Sequence, residues 1–316
     1  MNLSGKRVLV TGGAGQIGTH MTTVLAAENE VVSVDDCSKG RREWVPDDHE
    51  NVEFHEVDLT DEAAVREVVT ADLDLVVHLA ALSDVNKGDD REVFEDNNEM
   101  TYNLLAAMDD VGVDKIAFSS TSAVYGEAPR PTPEDFAPLE PISTYGACKL
   151  AEEALLSVYA HSHDFQVWAF RFANVVGPHQ RNTVVPDFIE KLLADPETLE
   201  ILGDGRQEKA YIHVSDTVSG MVHVMAEADD AFNVYNLGTK TTIPVTQIAD
   251  VVSDVLGVDP DYEFTGGKRG WTGDIPRMRL SIEKARGQGW EPELESADAV
   301  RRAAEELLPE LRADSE

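Results

Sequence analysis

Short apolar runs alternate with longer amphipathic segments through the first half of the chain. The runs predict strands at residues 7–11, 30–34, 52–56, 73–79, 115–119 and 166–170. Between these runs, apolar positions recur at helical spacing near residues 16–28, 62–70, 91–111 and 144–163. Strands that alternate with helices at this spacing predict an α/β fold built on a doubly wound parallel sheet.

The pattern changes after Gly177. Prolines then interrupt shorter elements, and glycines cluster between Gly203 and Gly273. We therefore expect one domain over residues 1–176 and a smaller C-terminal lobe over residues 177–316. Some segments of that lobe can return to the sheet of the first domain.

A glycine-rich segment, VLVTGGAGQIG, follows the first predicted strand and opens the first helix. Two spacings fit it, Gly13-x-Gly15-x-x-Gly18 and Gly12-x-x-Gly15-x-x-Gly18. In both, Gly15 lets the backbone approach a pyrophosphate and Gly18 lets the helix pack closely on the strand. A tight turn without a ligand is the weaker alternative. The segment predicts a Rossmann-type dinucleotide site that includes Gly12, Gly15, Gln16, Ile17 and Gly18.

An acidic residue follows at the position that selects the cofactor. Asp35 ends the second strand, 20 residues beyond Gly15, where a carboxylate accepts hydrogen bonds from the adenosine ribose. This favours NAD over NADP, although Arg41 and Arg42 are close enough in sequence to reach a 2′-phosphate. Asp58, after the third strand, either bounds the adenine pocket together with Leu59 or caps the next helix.

The stretch STYGACK puts Tyr145 and Lys149 four residues apart at the start of a predicted helix, so both project from one face. A tyrosine that acts as a base near neutral pH needs its pKa lowered by roughly 3 units, which is about 4 kcal/mol. A lysine one turn away supplies positive charge for that shift. The alternative is an ordinary surface pair.

Several segments in order resemble the extended short-chain dehydrogenase/reductases, in particular NAD-dependent sugar-nucleotide epimerases/dehydratases of the UDP-glucose 4-epimerase type. They are TGGAGQIG, DLT, VVHLAALS, FSSTSAVYG, YGACK, FRFANVVGP, YIHVSD and GDIPRM followed by IEKARGQGW, and they span nearly the whole chain. The resemblance implies a catalytic triad of Thr121, Tyr145 and Lys149. Tyr145 removes the proton of sugar O4 while hydride passes from C4 to NAD, and the 4-keto sugar then rotates before hydride returns to its other face.

The resemblance also implies which residues bind cofactor and substrate. To the dinucleotide it adds Leu79, Ala80, Ala81, Tyr145 and Lys149, and it makes the C-terminal lobe mainly a substrate-binding one. The substrate residues it implies are Ser83, Thr121, Tyr145, Asn174, Lys209 and Arg269. Many relatives have an Arg-Asp pair where this chain has Lys209-Ala210, so Lys209 offers a point charge without bidentate geometry.

The residues after Thr121 bear on which family reaction is performed. Dehydratases of this type carry an Asp-Glu pair there to eliminate water across C5–C6, whereas this chain has Ser122-Ala123. This favours a UDP-hexose 4-epimerase, with UDP-glucose and UDP-galactose as the expected substrates. A UDP-glucuronate decarboxylase or epimerase, a 4,6-dehydratase and a catalytically silent NAD-binding sensor or scaffold are the alternatives.

The amino-acid composition indicates the solvent environment to which the protein is adapted. The chain has 60 acidic and 26 basic residues among 316, a formal charge of -34, and the acids are dispersed. Since self-repulsion of this size is relieved by molar salt, we interpret the composition as adaptation to a salty cytoplasm, with cation binding as the weaker alternative. The absence of a basic patch disfavours a nucleic-acid partner, and the two cysteines have no metal-ligand spacing.

The remaining expectations concern location and assembly. The start of the chain runs directly into a strand pattern without a signal peptide, and no apolar run reaches transmembrane length, so we expect a cytoplasmic protein with no membrane contact. The two long predicted helices, 91–111 and 144–163, resemble the pair that forms a homodimer interface in relatives. Their apolar stripes are equally compatible with core packing.

Overall fold

A computed structural model of the chain describes residues 1–46, 49–83 and 90–315. The strands are β1 Arg7–Thr11, β2 Glu30–Asp35, β3 Val52–Glu56, β4 Leu75–His78, β5 Lys115–Thr121, β6 Gln166–Phe172, β7 Asn174–Val176, β8 Thr198–Ile201, β9 Glu208–Lys209, β10 Tyr211–His213, β11 Phe232–Leu237, β12 Ile243–Pro244, β13 Asp261–Phe264 and β14 Arg277–Met278. The helices are α1 Gln16–Ala26, α2 Glu62–Val68, α3 Asp90–Val111, α4 Thr144–Ser162, α5 Val184–Ala194, α6 Val214–Glu227, α7 Val245–Leu256, α8 Glu283–Gly287 and α9 Ser296–Ser315. Short 3-10 helices cover Arg42–Trp44 and Ser122–Tyr125.

Seven strands of the described part of the chain form one sheet, in the order β11-β6-β5-β4-β1-β2-β3. The pairs β1–β2, β2–β3, β1–β4 and β4–β5 are parallel. The sheet order moves outward in both directions from β1, which is the arrangement of a doubly wound sheet. The predicted fold class is therefore confirmed, and the carboxyl ends of β1 and β4 lie side by side, where such folds bind nucleotides.

The chain divides into two compact units. The first contains Met1–Thr121, Thr144–Arg171 and Met221–Tyr235, and the second contains Ser122–Ser143, Phe172–Gly220 and Asn236–Glu316. The boundary expected at residue 176 differs from this division at three places, the first being that residues 172–176 already belong to the second unit. The segment Ser122–Ser143 belongs to the second unit, and Met221–Tyr235 belongs to the first.

In the first unit, strands that read as continuous apolar runs are buried on both faces, as parallel strands are. Helices α2, α3 and α4 pack their apolar stripes against the sheet. Residues of this core include Leu9, Val76, Leu104, Leu105, Met108, Ile116, Phe118 and Leu156.

The second unit has its own core among α5, α7 and α9. Small sheets β10–β7, β12–β9–β14 and β13–β8 accompany these helices. Its buried apolar residues include Val185, Ile189, Leu199, Ile248, Val252, Ala303 and Leu307. A separate core is what allows each unit to be compact by itself.

Candidate active site

The glycine-rich turn joins β1 to α1 in the first unit. Gly12 has a φ of +66°, and a Cβ there would lie 2.7 Å from the backbone nitrogen of Ala80. Gly15 is the N-cap of α1, and its N–H donates to the Gly12 carbonyl at 3.1 Å. At Gly18, a Cβ would fall 1.9 Å from the carbonyl oxygen of Gly12. A side chain is therefore excluded at Gly12 and at Gly18, whereas a Cβ at Gly15 would lie 3.3 Å from the Gly12 carbonyl oxygen. At Gly13 a Cβ would fall 1.9 Å from Ser33 Oγ, so both glycine spacings are compatible with the turn.

A cleft opens beside this turn. Of the residues predicted to contact the dinucleotide, those that line the cleft are Gly12, Gly15, Asp35, Leu59, Leu79, Ala80 and Ala81. Gln16 and Ile17 are the first two residues of α1. A helix N-terminus beside a turn without side chains suits a pyrophosphate, because backbone N–H groups can reach its oxygens. These residues therefore fit a dinucleotide cofactor.

Asp35 holds its carboxylate at the edge of this cleft. Its Oδ2 accepts a hydrogen bond from the Ala14 N–H at 3.0 Å, and its Oδ1 accepts one from the Cys37 N–H at 2.8 Å. Burial raises the pKa of Asp35, while these two N–H groups act in the opposite direction. The carboxylate lines the cleft, where it can accept hydrogen bonds from the ribose hydroxyl groups and would repel a 2′-phosphate.

The two arginines after β2 pack against aromatic rings. The guanidinium of Arg41 lies 5.1 Å from the ring centroid of Trp44. That of Arg42 lies 4.7 Å from the ring centroid of Phe54. Both guanidinium groups thus take part in cation–π contacts, and the preference for NAD rests on the carboxylate of Asp35.

Asp58 holds a turn after β3. Its Oδ1 accepts hydrogen bonds from the N–H and the hydroxyl of Thr60, at 2.9 and 2.7 Å. The N-cap of α2 is Asp61, whose carboxylate accepts from two backbone N–H groups of the first turn. The alternative role of Asp58 as a helix cap is therefore wrong, because Asp61 already fills that position. Leu59, beside Asp58, lines the cleft.

His78 ends β4 and is fully buried. Its Nδ1 lies 2.7 Å from Thr11 Oγ1, and its Nε2 lies 3.1 Å from Thr101 Oγ1. The N–H groups of Leu79 and Ala80 donate to the same Thr11 oxygen, each at 3.2 Å. Burial lowers the pKa of His78 to about 3, so the ring is neutral. It supports the wall of the cleft and does not exchange a proton near neutral pH.

Thr121 is the last residue of β5 and is half-buried. The preceding hydroxyl, Ser120, bonds to the carboxylate of Glu153. That carboxylate also forms a buried ion pair with Arg171 at 2.6 Å. Because Ser120 already serves this pair, Thr121 is the better candidate for the triad hydroxyl.

Tyr145 and Lys149 lie one turn apart at the start of α4. Lys149 is fully buried, and its Nζ lies 4.6 Å from the ring centroid of Phe118. Burial raises the pKa of Tyr145, the charge of Lys149 opposes that rise, and the carboxylate of Glu152 adds to it. Tyr145 and Lys149 thus lie near each other at the start of α4, and the raised pKa leaves the tyrosine a neutral phenol.

Glu152 is the residue that the sequence interpretation missed. Its carboxylate is 1% exposed and lies 3.2 Å from Lys149 Nζ. The available signal was its position three residues after Lys149, on the helix face that also carries Cys148, Leu155 and Leu156. A carboxylate on a buried face requires a charged or hydrogen-bonding partner.

The second unit holds three of the predicted substrate residues. The side-chain amide of Asn174 donates to a backbone carbonyl at 3.0 Å. Lys209 Nζ lies 2.5 Å from the Asp274 carboxylate. The guanidinium of Arg269 bonds to the backbone carbonyl of Asp274 and to the carboxylate of Glu127. Two cations thus converge on Asp274 within this unit, each with an acidic partner.

The other predicted substrate residue, Ser83, is exposed and directly precedes residues 84–89, which lie outside the described part of the chain. Among the described residues, no three histidine, cysteine or acidic side chains are grouped as metal ligands would be. Over the same residues, no helix combines the length and the apolar character that crossing a bilayer requires.

Comparison with known proteins agrees with this geometry. The model of the NAD-dependent epimerase/dehydratase family matches residues 8–238. The UDP-glucose 4-epimerase of Mycolicibacterium smegmatis is 32% identical over 311 residues, which cover 95% of this chain and 97% of that protein. A crystal structure of UDP-galactose 4-epimerase is similar with a TM-score of 0.88 and 37% identity, over 96% of this chain and 99% of that one. The UDP-glucose 4-epimerase of Thermus thermophilus, solved in complex with NAD, gives 0.85 and 33%, over 95% and 98%.

Other similar structures differ in substrate and product. They include a UDP-N-acetylglucosamine 4-epimerase, a UDP-glucuronic acid 4-epimerase and a dTDP-glucose 4,6-dehydratase, at 27%, 26% and 28% identity. The similarity therefore establishes that this chain is a sugar-nucleotide enzyme with NAD as cofactor. The similar proteins catalyse several different reactions, so the similarity does not select one of them. On this basis the chain belongs to the NAD-dependent epimerase/dehydratase family of extended short-chain dehydrogenase/reductases.

Proposed function

We propose that the protein is an NAD-dependent UDP-hexose 4-epimerase that interconverts UDP-glucose and UDP-galactose. The observation that carries the proposal is the placement of Tyr145 and Lys149 one turn apart, in the unit that also contains the dinucleotide cleft. The epimerases of M. smegmatis and T. thermophilus are relatives of this chain. Both are UDP-glucose 4-epimerases, which agrees with the proposal.

The three residues of the triad together control proton transfer at sugar O4. Tyr145 accepts the O4 proton during oxidation and returns it during reduction. The Thr121 hydroxyl orients O4 by a hydrogen bond, and the Lys149 ammonium stabilises the phenolate as it forms. When bound, oxidised NAD supplies a hydride acceptor and a further positive charge.

The residues after Thr121 favour epimerisation over dehydration. Elimination of water across C5–C6 requires a general acid, and Ser122 and Ala123 supply no carboxyl group. An epimerase needs only O4 protonation and deprotonation, for which Tyr145 suffices. The chain therefore lacks the Asp-Glu pair that the family resemblance associates with dehydratases, although a dTDP-glucose 4,6-dehydratase is among the similar structures.

A direct assay tests the proposal. The purified protein is incubated with UDP-galactose in molar salt, and the products are separated by chromatography. We expect UDP-glucose without net consumption of NAD. A panel with the N-acetyl and uronic acid forms then ranks the substrates. The absence of UDP-glucose, with turnover of another sugar nucleotide instead, contradicts the proposed substrate.

Replacing the base tests the assignment of Tyr145. Tyr145→Phe should keep the fold and NAD binding while turnover falls by about 10²–10⁴-fold, because one general base is lost. Tyr102→Phe is the matched control, since Tyr102 is 56% exposed on α3, and it should retain full activity. Turnover near normal in Tyr145→Phe would mean that another group is the base.

We also propose that the enzyme is a homodimer joined through α3 and α4. Half of the large apolar side chains exposed among the described residues lie on these two helices, and they are Phe94, Tyr102, Val111 and Val158. A second copy of the chain would cover these side chains with the same surface of its own, as in two-fold symmetric interfaces. A homodimer also agrees with the resemblance of α3 and α4 to the helix pair that forms the dimer interface in relatives.

Light scattering of the purified protein tests the dimer. We expect twice the chain mass for the wild type and for Val24→Glu, whose site is 48% exposed on α1. Tyr102→Glu should give the monomer, because it buries a charge at the interface. A monomeric wild type at micromolar concentration contradicts the proposal.

A further inference from the structure

A row of buried polar side chains runs from the catalytic helix to the wall of the dinucleotide cleft. It consists of Lys149 and Glu152 of α4, Thr101 of α3, His78 of β4 and Thr11 of β1, each of them 0% exposed. The successive separations are 3.2, 2.7, 3.1 and 2.7 Å. Buried polar groups must be matched donor to acceptor, so the direction of each hydrogen bond in this row can be assigned.

The direction of the first hydrogen bond follows from the partners of Thr11, at the cleft wall. Thr11 Oγ1 accepts from two backbone N–H groups at the end of β4, so its own hydrogen goes to Nδ1 of His78. The neutral His78 ring then carries its proton on Nε2 and donates to Thr101. The hydroxyl of Thr101 in turn donates to Oε1 of Glu152. Every link in the row points toward Glu152.

Glu152 receives donors on both oxygens. Besides Thr101, the ammonium of Lys149 lies 3.3 Å from Oε1, and the thiol of Cys148 lies 3.4 Å from Oε2. A group surrounded by donors must be an acceptor, so Glu152 is a carboxylate and not a carboxylic acid. It forms a fully buried ion pair with Lys149.

The groups that face Lys149 are otherwise uncharged or paired. From β5 it meets the ring of Phe118, and from β4 it faces the neutral His78. On α4 it meets Tyr145 and Glu152, and the next acid, Glu153, is paired with Arg171. Burial lowers the pKa of Lys149, but the carboxylate of Glu152, Tyr145 and Cys148 together raise it above its ordinary value. Lys149 therefore remains an ammonium ion.

We propose that Glu152 is a positioning residue for Tyr145 and Lys149. Its carboxylate holds the Lys149 ammonium in place and offsets part of the positive charge that this ammonium exerts on Tyr145. Thr101, His78 and Thr11 keep the carboxylate fixed and link it to the cleft wall. The inference rests on the proposed role of Tyr145 as the base. It goes beyond that role by assigning Glu152 a part in deciding when the phenol ionises.

Titration of the tyrosine tests this directly. The full-length protein with NAD bound is titrated by ultraviolet absorbance of the phenolate, and Tyr145→Phe is subtracted to isolate one of the 7 tyrosines. We expect Glu152→Gln to lower the pKa of Tyr145 by about 1 unit, because a negative charge near the phenolate is removed. The acid limb of the pH profile of kcat/KM should move in the same direction.

Matched variants separate this effect from a general change in charge or packing. Glu67→Gln removes an exposed carboxylate on α2 and should leave the Tyr145 pKa unchanged. Glu152→Asp keeps the charge and should restore most of the wild-type value. An unchanged or raised pKa in Glu152→Gln overturns the proposal.

Thr101 provides a second comparison that does not depend on Glu152→Gln folding. Thr101→Val removes one donor from the carboxylate, so more of its charge acts on Lys149 and the Tyr145 pKa should rise. Thr101→Ser keeps the donor and should match the wild type. An identical value in the valine and serine variants overturns the proposal. If the shifts occur but no sugar nucleotide reacts, the proposed function fails and the tuning role of Glu152 stands.

Discussion

At the scale of single residues, the site depends on groups held away from their ordinary ionisation. Burial outweighs the charge of Lys149 and raises the pKa of Tyr145 above its ordinary value, which already keeps a tyrosine a phenol at neutral pH. His78 remains neutral because it is fully buried, with its pKa near 3. His78 needs hydrogen-bond partners in this buried position, and the hydroxyl groups of Thr11 and Thr101 provide them.

The buried state of His78 predicts a dependence of stability on pH. The unfolded chain binds a proton at this histidine below pH ~6.5, whereas the folded protein binds it only near pH 3. Between these limits the unfolded state holds more protons, so the free energy of unfolding falls as the pH falls. One such group contributes a slope of about 1.4 kcal/mol per pH unit.

Urea unfolding at several pH values between about 4 and 6 measures this slope against variants. His78→Gln should show a slope smaller by the contribution of one proton, because the titrating group is gone. His161→Gln replaces an exposed histidine on α4 and should keep the wild-type slope. Equal slopes for His78→Gln and the wild type contradict the buried, neutral state.

The candidate site residues that could be predicted from the sequence are those whose residue type and spacing are characteristic by themselves. Tyr145 and Lys149 stand out because one helical turn separates a phenol from an amine, and Gly12 and Gly18 because a turn precedes a helix. The roles of Glu152 and Thr101 could not be predicted, because 51 residues of chain separate the two partners of their hydrogen bond. Only the packing of α3 on α4 brings them together.

At the scale of elements, the turn between β1 and α1 leaves no room for a side chain at Gly12 or Gly18. Its glycines allow the start of α1 to approach the Gly12 carbonyl, which lies where a Cβ of residue 18 would be. The same closeness brings Gly12 against the backbone of Ala80 after β4. The turn therefore sets both the shape of the cleft and the packing of the helix.

Gly18→Ala tests the turn. The added methyl would lie 1.9 Å from a backbone oxygen, so the helix must shift, at a cost of about 1–3 kcal/mol in stability. NAD affinity should fall by at least about 10-fold, since the helix start no longer meets the pyrophosphate as before. Calorimetry for the melting temperature and titration with NAD measure the two effects.

Gly287→Ala is the control for this substitution. Gly287 is an exposed residue at the end of α8, and a Cβ there would meet nothing within 4 Å. The variant should bind NAD as the wild type does and melt at the same or a slightly higher temperature. Wild-type NAD affinity in Gly18→Ala would contradict the assigned close approach.

Local patterns predicted several element boundaries in the first half of the chain, while others differ by one or two residues: the strand expected at 73–79 covers Leu75–His78, and the helix expected at 16–28 ends at Ala26. The expected strands at 7–11 and 52–56 have the observed limits, and α4 begins at Thr144 as expected. The strand Phe232–Leu237 was not predicted. It lies far along the chain from β6, its neighbour in the sheet, and no local periodicity reports a partner at that distance.

At the scale of the whole molecule, the charge of -34 is the dominant physical property. Repulsion among dispersed acids opposes any compact state at low ionic strength. The Debye length shrinks from about 10 Å at 0.1 M salt to about 3 Å at 1 M, which removes most of that repulsion. The interpretation as salt adaptation follows from this balance and stays a prediction, as does the cytoplasmic location.

Melting temperatures in KCl test the salt dependence. We expect a clear rise between about 0.1 M and about 2 M KCl, because screening lowers the repulsion in the folded state. Sucrose at the same osmolality provides the control and should raise the melting temperature less. A melting temperature that is flat or falls with KCl contradicts the interpretation.

Epimerisation at C4 is the central proposal for this enzyme, and the fate of the C4 hydrogen tests it most directly. UDP-galactose labelled with deuterium at C4 is converted by the enzyme in molar salt, and the UDP-glucose formed is analysed by mass spectrometry and NMR. We predict that the deuterium stays at C4 of the product, with inverted configuration and no net change in NAD. Loss of the label to solvent, or a 4-keto-6-deoxy product, would contradict the account.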